Sequence, residues 1–151
     1  MSSQPATTTT IPSTTGSNAS SADDRTIYEL TFYSPVENTQ ACLEALWATG
    51  AGTWPNSPNG GVGDKDNQNG SEEEPAKYTD TAFICRGTGQ FKPSAAANPH
   101  IGRAGQVEYV EEDKVEMVVV GTRRCKDAVR ELRRAHPYEV VALFVTKCED
   151  F

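Results

Sequence analysis

The residues best suited to chemistry lie in one stretch, Gly87 to Gly105, and at one corner, His136 to Glu139. In the stretch, Gly87, Gly89, Gly102 and Gly105 leave the backbone room to approach an anion or a neighbouring subunit. Phe91 and Ile101 would anchor that path, and Pro93, Asn98 and His100 complete the candidate ligand-binding set. A connection this long without secondary structure of its own is uncommon in a compact domain and is usually functional or disordered. The competing account is a packed loop that closes a sheet end or an oligomer interface. At the corner, His136 and Glu139, joined by His100, have the donor types of a metal or acid–base site. A histidine that caps helix carbonyls ahead of a rigid Pro137-Tyr138 turn explains the same residues without a ligand. Glu108, Glu111 and Glu112 fit a solvated strand edge.

Stricter motifs fail. Gly87-Thr88-Gly89 lacks the third glycine of a dinucleotide fingerprint and does not join a strand to a helix. No Gly-Lys-Ser/Thr occurs, which excludes a P-loop. The four cysteines (Cys42, Cys85, Cys125, Cys148) are scattered and there are two histidines, so a clustered zinc site is not expected. No cofactor is named by these residues. A net charge of −7 disfavours nucleic acid as a partner. Six basic residues between Thr122 and His136 form a local exception, best explained as the solvated face of a helix. No run approaches the roughly 18 apolar residues of a membrane span. Neither a secretory signal nor a transit peptide is recognisable near the start, so a soluble, cytoplasmic protein is expected.

These residues need elements to position them. Residues 1–26 are mostly Ser, Thr, Ala, Pro, Asn and Gly and predict a disordered tail. A domain should then occupy 27–148, interrupted by a Gly-, Asn- and acid-rich disordered insertion at 52–76. Alternation of Tyr28, Leu30 and Phe32 with Glu29 and Thr31 predicts a strand over 27–33. Ser34-Pro35-Val36-Glu37 has the form of a capping box, with a helix to about Thr49 burying Val36, Leu43, Leu46 and Trp47 and ending at Gly50. A second strand is expected over Tyr78–Arg86 and a third over Gln106–Val120, bulged near Glu112 where Glu111 and Asp113 break the apolar phase. Thr122 would cap a second helix with Cys125, Ala128, Val129, Leu132 and Ala135 inward, closed by His136-Pro137. Tyr138–Lys147 is nearly continuous in apolar residues and predicts a central last strand. The order is βαββαβ, an α+β ferredoxin-like fold: a four-stranded antiparallel sheet with both helices on one face.

Four segments, in order, carry a family resemblance. They are Gly87-Thr88-Gly89-Gln90-Phe91-Lys92-Pro93, Asn98-Pro99-His100-Ile101-Gly102-Arg103-Ala104-Gly105, Glu108-Tyr109-Val110-Glu111-Glu112 and Ala135-His136-Pro137-Tyr138-Glu139. They resemble the PII-like and CutA-like domain inserted within bacterial dinuclear-metal hexameric proteins, known as a second type of GTP cyclohydrolase. Val140 stands where that family usually has a second acid. The metal-binding halves of the family have no counterpart in these residues, so the resemblance implies the domain and not the metal-dependent activity. More distantly the chain is similar to PII signalling proteins, CutA and the C-terminal domain of ATP phosphoribosyltransferases. The resemblance implies a homo-oligomer, a trimer in the first instance, with the region between strands two and three as the functional loop. A non-enzymatic module that binds a small metabolite or anion, or acts through self-assembly, is the expectation. The alternatives are a divalent-metal-binding CutA-like protein and an enzyme or regulatory subunit of the phosphoribosyltransferase or cyclohydrolase kind.

Overall fold

Side chains alternate across a strand, so one buried row defines the inner face of the sheet. In β1 (Ile27–Pro35) that row is Leu30, Phe32 and Ser34, all fully buried, while Glu29, Thr31 and Tyr33 point the other way. The computed structural model describes residues 25–55 and 75–149 of the chain. All but the last two residues of the expected 1–26 tail, and all but the ends of the expected 52–76 insertion, lie outside the described residues. β1 is followed by α1 (Thr39–Trp47), β2 (Phe83–Phe91), β3 (Glu108–Val120), α2 (Thr122–Ala135) and β4 (Leu143–Cys148). The sheet order is β2-β3-β1-β4, with every neighbouring pair antiparallel. Leu30 and Phe32, Val115, Met117 and Val119, Cys42, Leu43 and Leu46, and Cys125, Ala128 and Leu132 share one core, so both helices cover the same face. This is the α+β ferredoxin-like fold that the element order predicts.

Several local expectations are corrected by strand pairing. The capping box does not form. Ser34 stays in the ladder opposite Asp113, its hydroxyl donating to the Pro35 carbonyl at 3.2 Å, and a 3-10 turn (Val36–Asn38) intervenes before α1. Val36 is consequently only half-buried, whereas Leu43 and Leu46 are core and Trp47 packs against it. Gly50, at φ +84°, ends the helix as expected, its N–H on the Trp47 carbonyl at 2.8 Å.

The second strand lies five residues further along than its apolar alternation suggests. β3 is long enough to give each residue from Phe83 to Phe91 a ladder partner, down to Phe91 opposite Glu108. Backbone pairing therefore holds Gly87–Phe91 extended, and the true connection shrinks to residues 92–107. Tyr78–Ala82 instead runs beside the other end of the insertion: Trp54 donates to the Tyr78 carbonyl and Thr81 to Gly52.

No bulge interrupts β3, whose register with β1 and β2 is continuous through Glu112. Asp113 keeps the inward phase and is 4 % exposed, accepting hydrogen bonds from Thr39 at 2.8 Å and Arg86 at 3.1 Å. Desolvation raises its carboxyl pKa, but the Arg86 and Thr39 hydrogen bonds and the Arg86 charge outweigh that and leave it below its ordinary value. Gly121, not Thr122, is the N-cap of α2, and the Thr122 hydroxyl shares a 2.8 Å hydrogen bond with Tyr28. β4 is shorter than expected and is an edge strand, so its apolar residues Phe144 and Val145 are exposed rather than central. No helix among the described residues is long and apolar enough to cross a membrane.

Candidate functional site

The chain from Leu132 to Ala142 leaves α2 and returns to the sheet, and His136 fixes its path. At the helix end His136 takes an extended backbone, as the following proline requires. The Tyr138 N–H donates to its Nδ1 at 3.1 Å, so Nε2 carries the proton and donates to the Tyr33 carbonyl at 2.8 Å. Burial pushes the His136 pKa below its ordinary value; a nearby His100 acts in the same direction, while the Tyr33 carbonyl and Glu112 pull the other way. Both ring nitrogens are thus spent on backbone.

Tyr138 is the hub of an aromatic cluster. Its ring centroid is 5.1 Å from His136, 6.0 Å from Phe91 and 6.3 Å from His100, the planes tilted by 54° to 65°. Its hydroxyl is buried beside the Glu112 carboxylate, which acts on it. Burial first, and that carboxylate second, raise the phenol above its ordinary pKa.

Around this hub lies a cleft of about 290 Å³. One wall is the end of β2 and the loop behind it, with Phe91, Pro93, His100 and Ile101; the other is the 138–142 segment, with Tyr138, Glu139 and Val140. Tyr33, Gly89 and Glu112 line the same space. The two walls are tied directly, because the Asn98 N–H donates to the Glu139 carboxylate at 2.9 Å. Gly89 lies against the Glu112 side chain, whose carboxylate a Cβ at this position would displace. Gly102 has a different task. It takes φ +85° in the turn above Glu108, a conformation that L-residues avoid.

Sequence reasoning separated a loop site from a corner site, and the fold brings them together. Gly89, Phe91, Pro93, His100 and Glu139 all line the cleft. Gly87, Asn98, Gly102 and Gly105 do not: Gly87 faces open space in β2, Asn98 contributes its backbone, and Gly105 closes the loop by donating to the Pro93 carbonyl. His136 is behind the cleft, and no group of three or more His, Cys, Asp or Glu among the described residues converges as a metal site would require. Tyr33, Glu112 and Tyr138 also line the cleft, though the sequence does not put them in the candidate set. Glu112 reads as a solvated edge until strand phase is known, and Tyr138 reads as part of a rigid turn.

The lining has carboxylates and aromatic rings but no Lys or Arg, so an anion would find no permanently charged donor there. The acids can hold a ligand's donor or positive charge, and the rings and prolines its apolar part.

No family model matches the chain. It is 33 % identical over 113 residues to a GTP cyclohydrolase 1 type 2 homologue of Halalkalibacterium halodurans, covering 75 % of the chain and 24 % of that protein. A protein of the same name from Mycobacterium tuberculosis is 35 % identical over 107 residues, covering 71 % and 22 %. The chain thus spans about a quarter of the length of these curated relatives. Among solved structures, a Bacillus cereus protein related to NIF3 superposes with a TM-score of 0.58 at 24 % identity, over 83 % of the chain and 26 % of that protein. The divalent ion tolerance protein CutA1 of Ehrlichia chaffeensis superposes at 0.52 and 11 % identity, over 84 % and 85 %. In sequence and in fold, therefore, the chain resembles the CutA-like domain of the GTP cyclohydrolase 1 type 2 homologues.

Proposed function

We propose that this chain is a CutA/PII-like binding module that holds a small metabolite in the cleft between the 92–107 loop and the 138–142 segment, and that it works as a homo-oligomer. The convergence of Phe91, His100, Glu112, Tyr138 and Glu139 on one space, drawn from three separate parts of the sequence, carries this reading. Binding is favoured over catalysis because His136, the buried histidine beside the cleft, has both nitrogens committed to backbone. Of a metabolite and an anion, the acidic lining favours an uncharged or cationic metabolite. Exposed apolar residues on the uncovered sheet face, Phe83 and Phe144 above all, support assembly. The activity in the relatives' name belongs to proteins about four times as long as the matched segment.

The test is a thermal-shift screen of the full chain and of Gly89→Ala against a metabolite panel. The added methyl displaces the flexible Glu112 carboxylate, so it should reshape the site at little cost in stability. A ligand at 100 times its Kd stabilises by about 2.7 kcal/mol, well within detection. Metabolites that stabilise the wild type should lose that effect in Gly89→Ala. A panel without a single stabilising compound, or one whose effects Gly89→Ala leaves untouched, would sink the proposal.

A further inference from the structure

We infer that the ligand of this cleft is a small organic cation, an ammonium carried on an apolar stem, seated among Phe91, His100 and Tyr138 with Glu112 and Glu139 as its counter-charges. The inference deepens the proposed function and rests on the cleft being a binding site.

Three properties of the lining converge on this class. First, Phe91 and His100 are each tilted against Tyr138, by 60° and 54°, with centroids about 6 Å apart. Rings tilted in this way cover at most one ring's face in each contact, where stacked rings cover a face of both. The face of an aromatic ring is its negative side and attracts a cation within about 6 Å of the centroid, more strongly when the pair is desolvated. Second, the carboxylates outweigh the cationic side chains in the cleft, which holds no Lys or Arg. Glu112 is half-buried in the lining and Glu139 is exposed, and the hydrogen bond that Asn98 donates to Glu139 uses only one of its oxygens. With no Lys or Arg in the lining, an anion would face two carboxylates and find donors only in side chains such as His100 and Gln90. Third, the size is small. About 290 Å³ is near the lower end of the roughly 300–1,000 Å³ of ligand pockets. A bare divalent metal would need several converging oxygen ligands. A cation that brings its own apolar surface uses both the rings and the carboxylates.

The test separates charge from shape. Choline is titrated into the full chain with amide resonances as the readout, beside its uncharged analogue with a tert-butyl group in place of trimethylammonium, and beside inorganic phosphate. Choline should shift Gly89, Phe91 and Tyr138 and bind about fivefold or more tightly than the uncharged analogue. Glu112→Gln should erase most of that preference while leaving the analogue's affinity unchanged, and Phe91→Leu should weaken both. Equal affinity for choline and the analogue, or preference for phosphate, at the same residues would overturn the cation class and leave the cleft as a binding site. Shifts from none of the three probes would overturn both.

Discussion

His136 is 6 % exposed, and its two ring nitrogens join the end of α2 to β1 and to the backbone of Tyr138. Removing the ring leaves the Tyr33 carbonyl and the Tyr138 N–H without partners, so His136→Ala should cost about 2–4 kcal/mol, as buried groups that lose hydrogen bonds do. Because burial depresses the folded-state pKa, the sign of the pH dependence follows. An ordinary histidine in the unfolded chain takes up a proton near pH 6.5, and the folded protein resists until lower pH. Stability from this group is therefore complete above about pH 7 and is lost as pH falls through about 6.5 towards the folded pKa. Urea midpoints of the wild type measured from pH 7.5 down to 5.5 should decline, and those of His136→Gln should decline less. Parallel curves for the two proteins would show that the imidazole protonates freely in the fold. The residue types at this corner were legible in the sequence. Their division of labour was not, because a tautomer is chosen by partners remote in sequence, here Tyr33.

At the scale of elements, the β2–β3 hairpin decides where the site is. Apolar alternation stops near Arg86, yet pairing with β3 extends the strand to Phe91 and aims Gly89 and Phe91 at the cleft. The amides of this extension should divide by hydrogen exchange: those pointing to β3 protected by a factor of at least about ten over the 92–107 loop, those on the open edge fast. Uniformly fast exchange from Gly87 to Phe91 would return that segment to a loop and remove one wall of the proposed site. Asp113 teaches a related lesson. It looks like a break in an apolar phase, but Arg86 and Thr39 supply its partners from two other elements, and the strand runs on unbent.

For the whole molecule, the sheet face opposite the helices, uncovered among the described residues, and the sheet edges bear on assembly. Phe83 on β2 and Phe144 on β4 are 66 % and 61 % exposed, and they point to the face opposite the helices. Covering them in a homo-oligomer removes apolar surface from water. Light scattering at micromolar concentration should give a multiple of the 16.3 kDa chain mass, with a trimer expected. Phe144→Glu, exposed within the single chain, should shift that mass towards the monomer while altering monomer stability by no more than about 0.5 kcal/mol. A wild type that is already monomeric would end the assembly proposal.

By itself, the sequence determined the things that depend on near neighbours. Alternation marked β1, helical spacing marked the buried side of α2, and His136-Pro137 marked its end, since each is a matter of local geometry and burial pattern. The βαββαβ order followed, and with it the ferredoxin-like fold. Only the tertiary structure decided what depends on partners distant along the chain. Ladder pairing overrode the capping box at Ser34, lengthened β2 through its glycines and placed the apolar β4 at an edge. The same pairing put Glu112 beside Tyr138, and the fold of the loop brought Asn98 to Glu139. A cleft made by residues some 50 positions apart has no signature in either segment alone, because its walls exist only once the sheet has fixed their separation.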